Sequence, residues 1–298
     1  MIWDLTGKNA FVSGGAQALG LAYAKALARN GVNIALADID FDKLQVAVDE
    51  IGALGVKAVA LPVDVTESTA MHLAARQADA ELGKIHFVVN IPGVCCTKPL
   101  LELTELDWQW LIASNLMHLI HSTQAFLPLI RKHGEGGRIF NMISMSALGT
   151  SEGALGLAGY SVTKHAALAY TEELRAALLG TNIGVSALFP LRTQSELYAA
   201  WKTRQARFGS VDESSRPDYM GFDDWLKQGE SPSSSADALI DAIHNDRFYV
   251  VSSGALRERV AAGQAQILAA MDEANDPASP NSSSLASGIQ QSEGNMRI

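Results

Sequence analysis

The feature that most constrains this chain is an alternation of short apolar runs with alanine-rich stretches of helical character. Residues 9–13, 33–38, 56–63, 85–90, 138–144 and 184–189 read as strands. Between them, 19–29, 42–54, 66–82, 105–132 and 159–179 read as helices, and a late helix at 236–245 precedes a strand at 247–251. Strands this short and this uniformly apolar are buried on both faces. That requires a parallel sheet with helices packed against each side. The expected fold is α/β and doubly wound, with about seven strands, and its ligands lie outside the carboxyl ends of those strands.

The residues at those strand ends carry chemistry. Ser13-Gly14-Gly15-Ala16-Gln17-Ala18-Leu19-Gly20 joins the first strand to the first helix. Glycines there let the backbone turn tightly and approach a pyrophosphate at the helix N-terminus, which makes the sheet Rossmann-type. Ser13, Gly14, Gln17, Leu19 and Gly20 are the expected contacts. Asp38 ends the second strand and Ile39 follows it. A carboxylate there accepts hydrogen bonds from both adenosine ribose hydroxyls and repels a 2′-phosphate. No Arg or Lys adjoins it in Ala37-Asp38-Ile39-Asp40, so NAD is the expected cofactor rather than NADP. Asp64-Val65 after the third strand would meet the adenine, and Asn90 and Gly93 after the fourth would meet the riboses.

From about Leu5 to Val251 the chain resembles the short-chain dehydrogenase/reductase family. The resemblance rests on Asp4-Leu5-Thr6-Gly7-Lys8 with the glycine turn, Asn90-Ile91-Pro92-Gly93, Asn115 within a helix, and the run from Gly137 to Ser144. Its signature is Tyr160-Ser161-Val162-Thr163-Lys164. It implies a catalytic set of Asn115, Ser144, Tyr160 and Lys164. Tyr160 would be the general base, Lys164 would lower its pKa and hold the nicotinamide ribose, and Ser144 would bond the reacting oxygen. Asn115 would hold a water linking Lys164 to solvent. Pro190 and Thr193, after the sixth strand, would complete the cofactor contacts. Ser146 is an alternative to Ser144, but Asn141 stands three residues before Ser144 as the family pattern has it. Tyr198-Ala199-Ala200-Trp201-Lys202 repeats the Tyr-x-x-x-Lys spacing without a serine-bearing strand before it, and reads as a decoy or a substrate contact. Ala18 stands for the family's middle glycine, Pro92 for an alanine, and Leu191 for the glycine after Pro190. Asp107-Trp108-Gln109-Trp110 and His133-Gly134-Glu135-Gly136-Gly137 resemble bacterial members that oxidise benzylic alcohols of lignin-derived aryl ethers.

The expected organisation is a catalytic domain over 1–255, a helix over 256–274 and a disordered tail over 275–298. Residues 191–235, rich in aromatics, read as a substrate lid. The net charge of −9 argues against a nucleic-acid partner, and no apolar stretch is long enough for a membrane span. Adjacent Cys95 and Cys96 close no useful loop, which suits a reducing, cytoplasmic compartment. His118 and His121 share helical spacing with Asn115 but lack a third metal ligand, so no metal is expected. The reading is an NAD-dependent oxidoreductase, a homodimer or homotetramer, interconverting a bulky secondary alcohol and its ketone. The alternatives are an NADP-dependent carbonyl reductase and a nucleotide-binding sensor with little turnover.

Overall fold

A computed structural model describes residues 4–148, 156–210 and 221–275. Within them, strands β1 (Asn9–Ser13), β2 (Asn33–Asp38), β3 (Ala58–Pro62), β4 (Ile85–Asn90), β5 (Gly137–Met142), β6 (Ile183–Phe189) and β7 (Tyr249–Val251) form one sheet. All pairings are parallel, in the order β3-β2-β1-β4-β5-β6-β7. The strand order reverses between β1 and β4, so a crevice opens at their carboxyl ends. The helices are α1 (Ala18–Arg29), α2 (Phe41–Gly52), α3 (Ser68–Leu82), α4 (Glu105–Ile112), α5 (His118–His133), α6 (Ala158–Ala177), α7 (Phe222–Lys227) and α8 (Ala236–His244). Tyr23 and Leu27 of α1, Leu44 and Ile51 of α2, and Leu239 and Ile243 of α8 bury one face of the sheet against Val12, Leu36, Val89 and Leu188. On the other face Phe126 of α5 packs on Phe11, with ring centroids 4.2 Å apart.

Three local differences from the sequence reading bear on the site. β5 ends at Met142, so Ser144 lies in the loop beyond the strand rather than on it. The helix expected over 105–132 is broken by a π turn, Ala113–Met117, in which the His118 N–H reaches the Ala113 carbonyl. That turn carries Asn115, and π turns are frequent where a helix presents functional groups. β7 starts at Tyr249, two residues later than the apolar pattern suggests.

The glycine turn shows why its residues are small. Gly14 has φ +65°, and a Cβ on it would press on the Pro92 ring at 3.1 Å; a Cβ on Gly20 would meet the Gly14 carbonyl oxygen at 1.9 Å. Ala18, in contrast, holds φ +45° with a side chain attached. An L-residue pays sterically for that left-handed conformation. Ala18→Gly should therefore stabilise the fold by about 0.5–1 kcal/mol, after the entropy glycine adds to the unfolded chain. A thermal melt reads this directly, and a lower Tm would show that the Ala18 methyl packs productively.

At the opposite, amino end of the sheet, Glu135 bonds Lys8 at 2.9 Å, the ring Nε2 of His86 at 3.0 Å, and Lys84. His86 Nδ1 accepts from the Asn9 N–H, His133 Nδ1 accepts from the Glu135 N–H, and His133 Nε2 bonds the Ile85 carbonyl. His86, His133 and Glu135 converge as metal ligands would, but every ring nitrogen is already engaged. The His133-to-Gly137 motif thus ties the starts of β1, β4 and β5 together.

The chain divides into two compact units after Gly254, and the described part of the second contains helix α9 (Arg257–Asn275). Of the tail expected to be disordered over 275–298, Asn275 ends α9, and the rest, like the lid aromatic Tyr219, lies outside the described residues. No described helix is long and apolar enough to cross a membrane.

Candidate active site

A cavity of about 560 Å³ occupies the crevice at the carboxyl ends of the strands. Of the residues singled out in the sequence, Gly14, Gln17, Leu19, Asp38, Ile39, Asp64, Val65, Gly93, Tyr160, Lys164 and Pro190 line it. Ser13, Gly20, Asn90, Asn115, Ser144 and Thr193 stand outside that lining. Ser13 and Asn90 are buried in a polar row across the sheet. Ser13 Oγ donates to Asn90 Oδ1 at 3.5 Å, Asn90 Nδ2 to Asn141 Oδ1 at 2.9 Å, and Asn141 Nδ2 to Thr171 Oγ1 at 3.1 Å. The row couples β1, β4 and β5 to α6, which carries Tyr160. Thr193 is buried, its hydroxyl bonded to the Leu191 carbonyl.

Tyr160 stands in the first turn of α6 and Lys164 one turn later, so both side chains leave the same face. Lys164 is 1% exposed. Its Nζ donates to the Met142 carbonyl at the end of β5, at 2.8 Å, and lies 5.6 Å from the centre of the Tyr160 ring. Burial pulls the Lys164 ammonium down to about 7. Gly93 makes room for it, since a Cβ there would sit 3.3 Å from Nζ and 3.7 Å from Asn115 Oδ1.

Asn115 is fully buried and its amide is fully used. Oδ1 accepts from the Val94 N–H at 2.8 Å, and Nδ2 donates to the Val94 carbonyl at 2.9 Å and to Thr163 Oγ1 at 2.8 Å. It braces the loop after β4 against α6. One turn further on, His118 is buried with neither ring nitrogen in a well-formed hydrogen bond. Burial, with Lys164 as the next cause, pushes it down to about 3, so it is neutral. Ser144 is half-buried; its Oγ accepts from the Ser146 N–H at 3.1 Å and bonds the hydroxyl of the more deeply buried Ser146 at 3.2 Å.

Asp38 also lines the cavity. Its carboxylate accepts from the N–H groups of Ala16 in the glycine turn, at 3.1 Å, and of Asp40, at 3.2 Å. Burial raises its pKa, and these N–H donors oppose the rise.

The segment after β6 does more than the sequence suggests. Around Tyr160 it builds an apolar cluster, in which buried Cys95, Leu157, Phe222 and Leu226 meet Leu197, Tyr198 and Trp225. It also crosses the cofactor crevice. Glu196 pairs with Lys43 at 2.6 Å, while Gln205 and Arg207 each bond Asp64 at 3.0 Å. Its anchor is Arg204, held by the buried Asp107 carboxylate at 2.6 Å and stacked 5.0 Å from the Trp110 ring. Burial alone would raise the Asp107 carboxyl, yet hydrogen bonds from Lys98 and Arg204 hold it well below the usual carboxylate range. Asp107 and Trp110, noted in the sequence as a motif, are thus the mooring for this segment. Cys96 fills space beside them, its thiol pushed up to about 12 by burial. Lys43, Glu196, Gln205 and Arg207 carried no sequence signal beyond being charged or polar, because their partners lie up to 153 residues away along the chain.

The model for the short chain dehydrogenase family matches residues 8–206. A C alpha-dehydrogenase of Sphingobium sp. (strain NBRC 103272 / SYK-6) is 27% identical over 257 residues, covering 86% of this chain and 83% of that protein. A short chain dehydrogenase/reductase of Burkholderia phymatum, solved in complex with NAD, gives a TM-score of 0.83 at 26% identity. The likeness covers 89% of this chain and 96% of that one. The apo form of LigO from Sphingobium sp. strain SYK-6 gives 0.78 at 26% identity, over 99% of this chain and 98% of the other.

Proposed function

This chain belongs to the short chain dehydrogenase family, and on that premise we propose an NAD-dependent oxidoreductase that interconverts a secondary alcohol and a ketone. The observation that carries the proposal is Tyr160 beside a buried Lys164 on the wall of one cavity that Asp38 and the glycine turn also line. The lining fits a dinucleotide. Gly14 leaves its backbone open to a pyrophosphate at the α1 N-terminus, Asp38 would hold the adenosine ribose hydroxyls, and Lys164 the nicotinamide ribose. The cofactor supplies the hydride acceptor, and the chain supplies position and proton chemistry.

A phenol ordinarily titrates near 10, too high for efficient base work at neutrality. The Lys164 Nζ stands 5.6 Å from the Tyr160 ring centre, where a positive charge favours negative charge developing on the phenol oxygen. Tyr160 then takes the hydroxyl proton of the alcohol while Ser144 hydrogen-bonds the reacting oxygen. Asn115 acts by positioning the Val94 loop and Thr163. The apolar cluster of Leu157, Tyr198, Phe222, Trp225 and Leu226 around Tyr160 supports a bulky hydrophobic or aromatic substrate.

Two measurements test this reading. Secondary aryl and alicyclic alcohols screened for NADH formation should give turnover with bulky members and little with small polar ones. Titration of both cofactors should show NAD bound at least about tenfold more tightly than NADP, and Asp38→Ala should narrow that gap. Equal affinities in the wild type would overturn the NAD assignment, and turnover confined to small sugars would overturn the substrate class.

A further inference from the structure

Lys43 stands in the first turn of α2, five residues beyond Asp38, where the sequence shows no cation adjoining the aspartate. Folding nevertheless brings it into the lining of the cavity, together with Gln17, Asp38, Asp40 and Glu196. A lysine so placed would suit a 2′-phosphate, and Asp38 alone would then have to reject NADP against an attractive charge. In the structure that charge is already taken. Lys43 Nζ bonds Glu196 Oε2 at 2.6 Å and Gln17 Oε1 at 2.8 Å, with Asp40 Oδ2 at 3.8 Å.

We propose that Glu196, reaching across the crevice from the segment after β6, is a cofactor-selectivity residue that withholds Lys43 from the 2′-phosphate of NADP. The inference rests on the NAD-binding reading above and adds a second determinant to Asp38. The pair has little to do with fold stability. Its side chains are 42% and 52% exposed, and ion pairs so open to solvent contribute little to folding. Its effect comes from place, since it decides whether the cation on α2 is available beside the ribose-binding carboxylate. It also ties cofactor choice to the same segment that packs on Tyr160.

The test is titration of NAD and NADP, by tryptophan fluorescence or calorimetry, into the full-length wild type, Glu196→Gln, Lys43→Ala and the double variant. Circular dichroism establishes that each is folded. Glu196→Gln should tighten NADP about tenfold and change NAD by less than about twofold, and the double variant should lose the gain. An unchanged NADP/NAD ratio in Glu196→Gln would overturn the proposal. So would a parallel change in both affinities, which would make Glu196 a simple clasp over the cofactor. A gain that persists without Lys43 would overturn it too, by showing that Glu196 acts through direct repulsion. A wild type that binds both cofactors equally would sink the NAD reading by itself, and the Glu196→Gln shift would still decide this inference.

Discussion

Tyr160→Phe should lower kcat by about a thousandfold while leaving NAD affinity within about twofold of the wild type. The substitution keeps the ring that packs with Cys95, Leu157, Phe222 and Leu226, so the apolar cluster persists. It removes the phenol that stands beside Lys164 and that is proposed to accept the alcohol proton. The loss should appear in kcat rather than in KM, because the phenol acts on the proton in the transition state. Tyr198→Phe is the control. Tyr198 also lines the cavity, but its ring neighbours Lys227, at 5.2 Å, and the Lys202 of its own Tyr-x-x-x-Lys run lies instead over Trp201. Its loss should therefore change KM more than kcat. Exchanged effects in the two variants would move the chemistry to the other pair. In the wild type the oxidation rate should rise with pH, since a base form must accept the alcohol proton.

The fold was legible because its strands advertise themselves. Runs such as Phe87-Val88-Val89 and Ile34-Ala35-Leu36 are fully buried on both faces, as strands of a parallel sheet covered by helices are. The cofactor end was legible for a similar reason, since the glycine turn and Asp38 sit at fixed offsets from strand ends. Those offsets are set by the sheet rather than by distant contacts. What the sequence concealed was set by tertiary structure. The π turn at Asn115 has no composition signal, and the rotation of about 100° that one extra residue imposes is masked because Leu111, Ile112, Ala113, Leu116, Met117, Leu119 and Ile120 leave little polar contrast between faces. Ser144 lay beyond the end of β5 because Ile143, apolar and buried, extends the strand pattern past the last ladder pair at Met142. The path of residues 194–209 was hidden most fully. Arg204 reads as an ordinary surface charge until Asp107, 97 residues away, is seen to bury it. Nor does a sequence show that Asp64, expected to meet the adenine, also receives Gln205 and Arg207.

That same segment links the two ends of the site. Glu196 sits against Lys43 at the adenosine end, and the next two residues, Leu197 and Tyr198, pack on the cluster around Tyr160. A displacement of Leu197 and Tyr198 would therefore also draw on the Glu196–Lys43 pair. Moored by Arg204 and fastened elsewhere by exposed ion pairs, the segment can release its solvent-facing contacts without losing its anchor. Exposed pairs of this kind are individually weak.

Lys164→Met should abolish turnover and at the same time make the protein more stable at pH 6. Lys164 is almost wholly buried, bonds a single backbone carbonyl, and has an ammonium drawn from its ordinary 10.5 down to about 7 by loss of solvent. Between those two values the unfolded chain holds a proton that the folded protein does not. Folding stability therefore rises with pH across that window, and the penalty is complete at pH 6, where both states are charged. Methionine fills a similar volume without the charge. It forfeits the hydrogen bond to Met142, a loss of about 1 kcal/mol, but removes a penalty on the order of 4 kcal/mol. A net gain of about 3 kcal/mol at pH 6 should raise Tm by about 5 °C, and the advantage should shrink steadily as the pH approaches 10. On the proposed mechanism the costly lysine serves the chemistry at Tyr160, a trade of stability for activity common at active sites. Melting curves of both proteins from pH 6 to 10 decide the matter. A Lys164→Met protein less stable than the wild type at pH 6 would mean that the buried ammonium is well compensated in the folded state. Its field on Tyr160 would then be too screened to account for the proposed base.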